Sequence, residues 1–467
     1  MKTLLQKSIL ISFLTLFLGL SQQISAQVSG DFRSTTSGNW GTSTTWQRYN
    51  GSTWDNSGSG SNNPGQTPTS TSSVFIQTAH VVTLTADEAC NDLHIASSTN
   101  ATPSASTLGR VALATFTLSV NGKMRNYYAT LNNIPGTSQA NGYNIYPFTG
   151  STGKVSIVGS TRTVFTSGEW GATITTPATG IFPLEVNLTN NSQTATFGTN
   201  TKSTSFNLVT GIVLCATVSM DNGTIGQGNV TIGSGTTLSS SATSSNKVFQ
   251  RTNSSRAGTL TIAGTLRLSG GTPQFSVNSV SNTGTVEYSN TGNQTFIVAT
   301  NSGAAMSYNN LTISGSGIKT LALATAVAGT TTVNTGCTLS TGAFTFTNNG
   351  TANIDGSFQI NQGGWGGNTG TYNYGSTGTL VFNNSSGSYN VNSGDTWWPT
   401  SNGPVNVTVQ GAGTITMHVA RTVPSSGTTG LFLLSSPTTN AVRGTALTFN
   451  GNVQINGGNF QTTPVYG

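Results

Sequence analysis

Apolar positions along this chain recur at every second residue in short bursts, and each burst ends at a glycine, an asparagine or another small polar residue. Leu260, Ile262, Leu266 and Leu268 alternate with Thr and Arg across an Ala263-Gly264 interruption. Val405, Val407 and Val409 repeat the pattern, and Ile415 and Met417 follow after Gly411-Ala412-Gly413. A period of two rich in β-branched residues predicts strands of about 3–5 residues with tight corners between them. No window long enough for a globular helix carries a capped 3.6-residue period. The chain reads as strand almost throughout.

The bursts belong to a longer repeat. DGSFQINQGG at 355–364 returns as NGNVQINGGN at 450–459, GTVEY at 284–288 as GTLVF at 378–382, and NLTISGSG at 310–317 as NVTVQGAG at 406–413. Three landmarks in the same order define a unit of roughly 95 residues, with a looser copy upstream, and such repetition marks stacked architectures. The predicted fold is all-β: a right-handed parallel β-helix, each strand stacking on its equivalent one coil away. Tandem β-sandwich modules are the alternative, but they call for longer strands and antiparallel hairpins. With about 22 residues per coil, the chain would form ~18 coils and a rod roughly 90 Å long at ~4.8 Å per layer.

Five segments are expected. Residues 1–26 read as a secretory signal peptide, with Lys2 and Lys7 ahead of an apolar run and Ser25-Ala26 before Gln27. Residues 27–97 form a Trp- and Gly-rich β module containing a flexible stretch at 57–73. A first loose repeat occupies 98–271, a second 272–364 and a third 365–467, after which either the sequence is a fragment or its export route differs. No later run reaches the ~20 apolar residues of a membrane span, so no transmembrane segment is expected in the mature chain.

In the opening module, Gly38-Asn39-Trp40, Thr45-Trp46, Trp54, Pro64, Val74-Phe75-Ile76, His80 to Leu84 and Leu93-His94-Ile95 occur in that order. Residues 31–97 thereby resemble the β domain named for its eight glycines, which opens large secreted bacterial β-helical proteins. The resemblance implies an adhesin-like surface protein of the kind often exported by the type IX route. The family's C-terminal sorting domain is not recognisable here.

Composition narrows the chemistry. Charged residues make up 6% of the chain, against roughly 25% in ordinary soluble domains. Without Lys2 and Lys7 the balance is 15 basic against 11 acidic residues, scattered rather than gathered into the stripe that nucleic acid requires. Cys90, Cys215 and Cys337 are too few and too far apart for a disulfide framework or a zinc site, and read as buried core thiols. No cofactor or metal is expected.

The densest ionisable group is Asp87, Glu88, Asp92 and His94, which a solvated turn explains. Glu169 and Asp395 are single carboxylates beside tryptophans, and His418 reads as a packed or surface histidine. Candidate ligand-binding residues are Trp365, Tyr372, Tyr374, Trp397 and Trp398, whose rings could stack on sugar faces if exposed; otherwise they pack the core. Trp397 and Trp398, adjacent in a strand, would face opposite ways. Threonine-rich strands also raise ice binding, but Thr330 to Thr332 and Thr345 with Thr347 do not recur at the repeat period. The expected function is a structural or adhesin-like surface protein, secreted or at the cell surface, contacting glycans multivalently. A carbohydrate-active β-helix enzyme, lyase or hydrolase, is the alternative.

Overall fold

The computed structural model describes residues 27–56, 66–97, 109–129, 135–139, 148–149, 152–165, 182–197, 201–219, 228–243, 247–250, 258–297, 306–367, 369–424, 430–437, 441–444 and 447–461. The signal-like segment 1–26, residues 57–65 and Glu169 lie outside that set.

Short strands pair in parallel with the strand one coil further on. The segments Ser279–Asn282, Thr285–Tyr288 and Gln294–Thr295 follow one another and enter three different sheets. A coil therefore has three sides, and the protein is a parallel β-helix. One face is an eight-stranded sheet running from Glu88–Cys90 to Ser279–Asn282. The second is a ten-stranded sheet from Arg162–Phe165 to Thr371–Tyr374, and the third an eight-stranded sheet from Gln294–Thr295 to Asn452–Gly457. At ~4.8 Å per layer the ten-stranded sheet alone spans roughly 43 Å.

Alternation decides which side chains go inside. Leu238, Leu266, Val286 and Leu311 stand in register on successive coils, all at 0% exposure. Each such side chain is worth ~1.5–3 kcal/mol of burial, and the stacking joins them into a single core from Phe32 to Val442. Coil length is free to vary because corners can bulge outward. On the ten-stranded sheet, Thr194 meets Ile212 across a short coil, whereas Thr237 meets Thr265 across a much longer one. At two-residue corners such as Ala263-Gly264 and Thr283-Gly284, glycine is required by space. A Cβ on Gly284 would collide with the carbonyl oxygen of Gly264, and one on Gly264 with that of Gly233.

Ladders cross the boundaries expected after residues 97, 271 and 364. Leu93–Ser97 pairs with Met124–Ala129, Thr265–Leu268 with Thr285–Tyr288, and Thr351–Ile354 with Thr371–Tyr374. The long sequence repeat is not a fixed number of coils either. Ser357–Asn361 and its counterpart Asn452–Gly457 share one sheet, whereas Thr285–Tyr288 and its counterpart Thr379–Asn383 lie in different sheets. The repeat preserves strand–corner–strand pieces, not their position around the axis.

The opening stretch belongs to the same helix and closes its first coil. Phe32–Ser34 pairs in parallel with Val74–Ile76 on one edge and antiparallel with Trp46–Tyr49 on the other, which pairs in turn with Trp54–Asn56. Trp40 and Trp46 are buried with ring centroids 5.2 Å apart, and the Trp46 indole N–H donates to the Trp40 carbonyl at 2.7 Å. Trp54 packs outside this core, against Phe75 and beneath the Arg33 guanidinium. Among the described residues, no helix is long and apolar enough to cross a membrane.

Candidate functional site

Four of the five rings singled out from the sequence are core residues. Tyr372, Trp397 and Trp398 are at most 1% exposed and Tyr374 is 6% exposed, so they offer no stacking face to a sugar. Tyr372 and Tyr374 point inward because they stand in register with Ala352 and Ile354. Trp397 and Trp398 lie in a turn rather than a strand, which lets both rings enter the core and pack around Phe382 at 5.9 and 5.7 Å. The Tyr374 hydroxyl donates to the Trp397 carbonyl at 2.8 Å, locking that turn. Trp365 pairs with Thr345 in a short strand; its side chain lies outside the described set.

The acidic cluster is drawn apart by the coil. Glu88 joins the eight-stranded sheet at 88–282, while His94 lies in the sheet containing Phe75. The His94 ring is buried and stacked on Phe75 at 4.4 Å, and its Nε2 is 3.9 Å from Asp92. Asp87 accepts from the Thr117 N–H and Asp92 from the Lys123 N–H. These carboxylates fasten one coil to the next. Burial pushes the Glu88 carboxyl above its ordinary value. Among the described residues, no three His, Cys, Asp or Glu side chains gather as a metal site.

Several other ionisable groups are tied into the scaffold. Arg421, buried, donates to the carbonyls of Trp398, Ala420 and Asn392. Asp395 accepts the Asn392 N–H at 2.6 Å. His418 is exposed, just past the strand Thr414–Met417. Lys154 and Ser156 both reach Glu185 one coil away, and Arg267 and Ser314 both reach Glu287. A hollow of about 710 Å³ beside the first coil is lined by a single carboxylate, Asp31. That group accepts from the N–H groups of Val28 and Ser73, and burial raises its pKa. A second hollow, about 330 Å³, is lined by none.

What the structure does assemble is a polar outer face on the ten-stranded sheet. Its first outward column runs Thr237, Thr265, Thr285 and Asn310, then Thr330, Thr351 and Thr371. Asn310 and Thr330 are joined by a hydrogen bond from the Thr330 N–H to Asn310 Oδ1. The second column, two residues along each strand, runs Ser239, Arg267, Glu287, Thr312, Thr332, Asn353 and Asn373. From Asn310 to Asn373 the two columns contain only Thr and Asn, and no register shift interrupts them. The steps along the chain are unequal before this stretch, long from Thr237 to Thr265 and short from Thr265 to Thr285, and become nearly even from Asn310 through Thr330 and Thr351 to Thr371. The signal that finds it is the alternation of each strand together with that local step, which is shorter than the roughly 95-residue repeat.

Fold and surface together define a parallel β-helix whose longest sheet presents stacked hydroxyl and amide side chains. Comparisons with protein-family models, curated proteins and solved structures found no match.

Proposed function

We propose that this chain is a secreted, non-catalytic surface protein of adhesin-like character. In this reading, the outer face of the ten-stranded sheet contacts glycans or other polar surfaces. The observation that carries it is the recurrence of the same uncharged donors and acceptors on consecutive coils, held by a core that fixes their spacing. One hydroxyl–hydroxyl contact in water is weak. A row of them on a rigid scaffold makes each later contact intramolecular, so overall affinity grows without any strong individual site.

Secretion rests on the signal-like residues 1–26, and processing there would leave Gln27 as the first residue. Mass spectrometry of the native N-terminus tests that step. Glycan arrays and cell-adhesion assays with folded protein test the contact. Uniformly negative results would overturn the reading, and release of reducing ends or unsaturated products from a polysaccharide would replace it with the enzyme.

A further inference from the structure

We propose that the outer face of the ten-stranded sheet between Asn310 and Asn373 is an ice-binding surface. This does not rest on glycan binding, and its occupant is different: the water lattice of a growing ice crystal.

Geometry is the first argument. Neighbouring coils set side chains ~4.8 Å apart along the axis, and residues i and i+2 on a strand lie ~6.6 Å apart, twice the rise of ~3.3 Å per residue. Thr312 with Thr332, and Thr330 with Thr351, occupy such positions in unbroken register. The result is a two-dimensional net of oxygens with steps comparable to the oxygen repeats on a face of hexagonal ice.

Chemistry is the second. Among the described residues, the hydroxyls of Thr312, Thr332, Thr351 and Thr371 have no protein partner. By contrast, the inward Thr331 hydroxyl donates to Asn348 Oδ1 at 3.1 Å. The outward hydroxyls are therefore free to bond water. Threonine is stiff at χ1 because it is β-branched, so each hydroxyl is held with little rotamer entropy left to lose. Its methyl group stands beside the hydroxyl and gives the face an apolar component as well.

Charge is the third. Between Asn310 and Asn373 neither column carries a charged side chain, so no strongly hydrated group breaks the net. The face ends where Glu287 is engaged by Arg267 and Ser314.

Ice-affinity partitioning and microscopy of single ice crystals test the proposal with the full chain. Wild-type protein should enrich in the ice fraction several-fold over an inert globular control and should facet the crystals. Thr332→Tyr and Thr351→Tyr should each abolish most of that enrichment. Thr261→Tyr, on the outer side of the neighbouring eight-stranded sheet, should retain it. Far-UV circular dichroism and melting temperature verify that each variant folds. Exclusion of folded wild-type protein from ice overturns the proposal, as does equal loss in Thr261→Tyr. The two readings separate cleanly: glycan binding without ice enrichment removes this inference alone, and ice enrichment on a blank glycan array removes the other.

Discussion

Lys319 stands in register with Leu339 on the next coil, an amine in a column that Leu339, Phe358 and Leu380 continue with apolar side chains. It is fully buried, and its Nζ donates to the carbonyls of Asn290, Gly292 and Ser316 at 2.6–2.7 Å. Gln294, one coil earlier in the same column, donates to the carbonyls of Leu268 and Gly270. Both side chains satisfy turn carbonyls that the coil folds inward. Lys319→Met keeps the length and removes every donor. With ~1–3 kcal/mol for an unsatisfied buried acceptor, we expect a loss of about 3 kcal/mol in urea unfolding. Leu339→Met in the same column should cost under about 1.5 kcal/mol.

Alkaline pH should unfold the protein. Burial raises the phenol pKa values of Tyr288, Tyr308, Tyr372 and Tyr374 above the ordinary 10.0, and that of Tyr389 to about 12. Above pH 10 the unfolded chain releases these protons while the folded chain keeps them. The folded state then binds more protons, and stability falls as pH rises. Melting temperatures measured from pH 8 to pH 11.5 should begin to fall near pH 9, because burial also raises the thiols of Cys90 and Cys215, and should drop steeply above about pH 10. Tyr288→Phe with Tyr308→Phe should soften the drop.

The indole of Trp398 is a structural group. Trp398→Ala should lose ~3–5 kcal/mol, as large-to-small core changes do, and the surviving folded fraction should bind as the wild type does. Unfolding by urea, followed by binding normalised to folded protein, checks both parts. A selective loss of glycan binding at unchanged stability would return the ring to the site.

Glycine at the two-residue corner 283–284 is a steric requirement. Gly284→Ala places a methyl group against the Gly264 carbonyl, and we expect ~1–3 kcal/mol of destabilisation from the forced backbone shift. Gly292, whose added Cβ meets nothing within 4 Å, should tolerate alanine within about 0.5 kcal/mol. Paired chemical denaturation curves decide the matter.

Much of the fold was legible because alternation is a local property. The Leu260 to Leu268 segment declares its inward side by period alone, and Thr259–Ile262 and Thr265–Leu268 form as expected. The tryptophan pair was not legible. A strand would separate Trp397 from Trp398, and only the turn at 393–398 sends both rings inward. The acidic cluster was misleading in the opposite sense, because adjacency between Glu88 and His94 in sequence becomes membership of different sheets.

By itself, the amino-acid order determined that this chain makes short strands with one greasy and one polar side, joined by small residues and carrying little charge. Those consequences need only near neighbours along the chain. Only the tertiary structure decided which strands lie against each other. Corners can lengthen without disturbing the core, so Thr265 meets Thr285 across a short coil and Thr285 meets Asn310 across a longer one. The surface that results is a property of register, which hydrogen bonding between coils sets and which no single spacing over the whole sheet encodes.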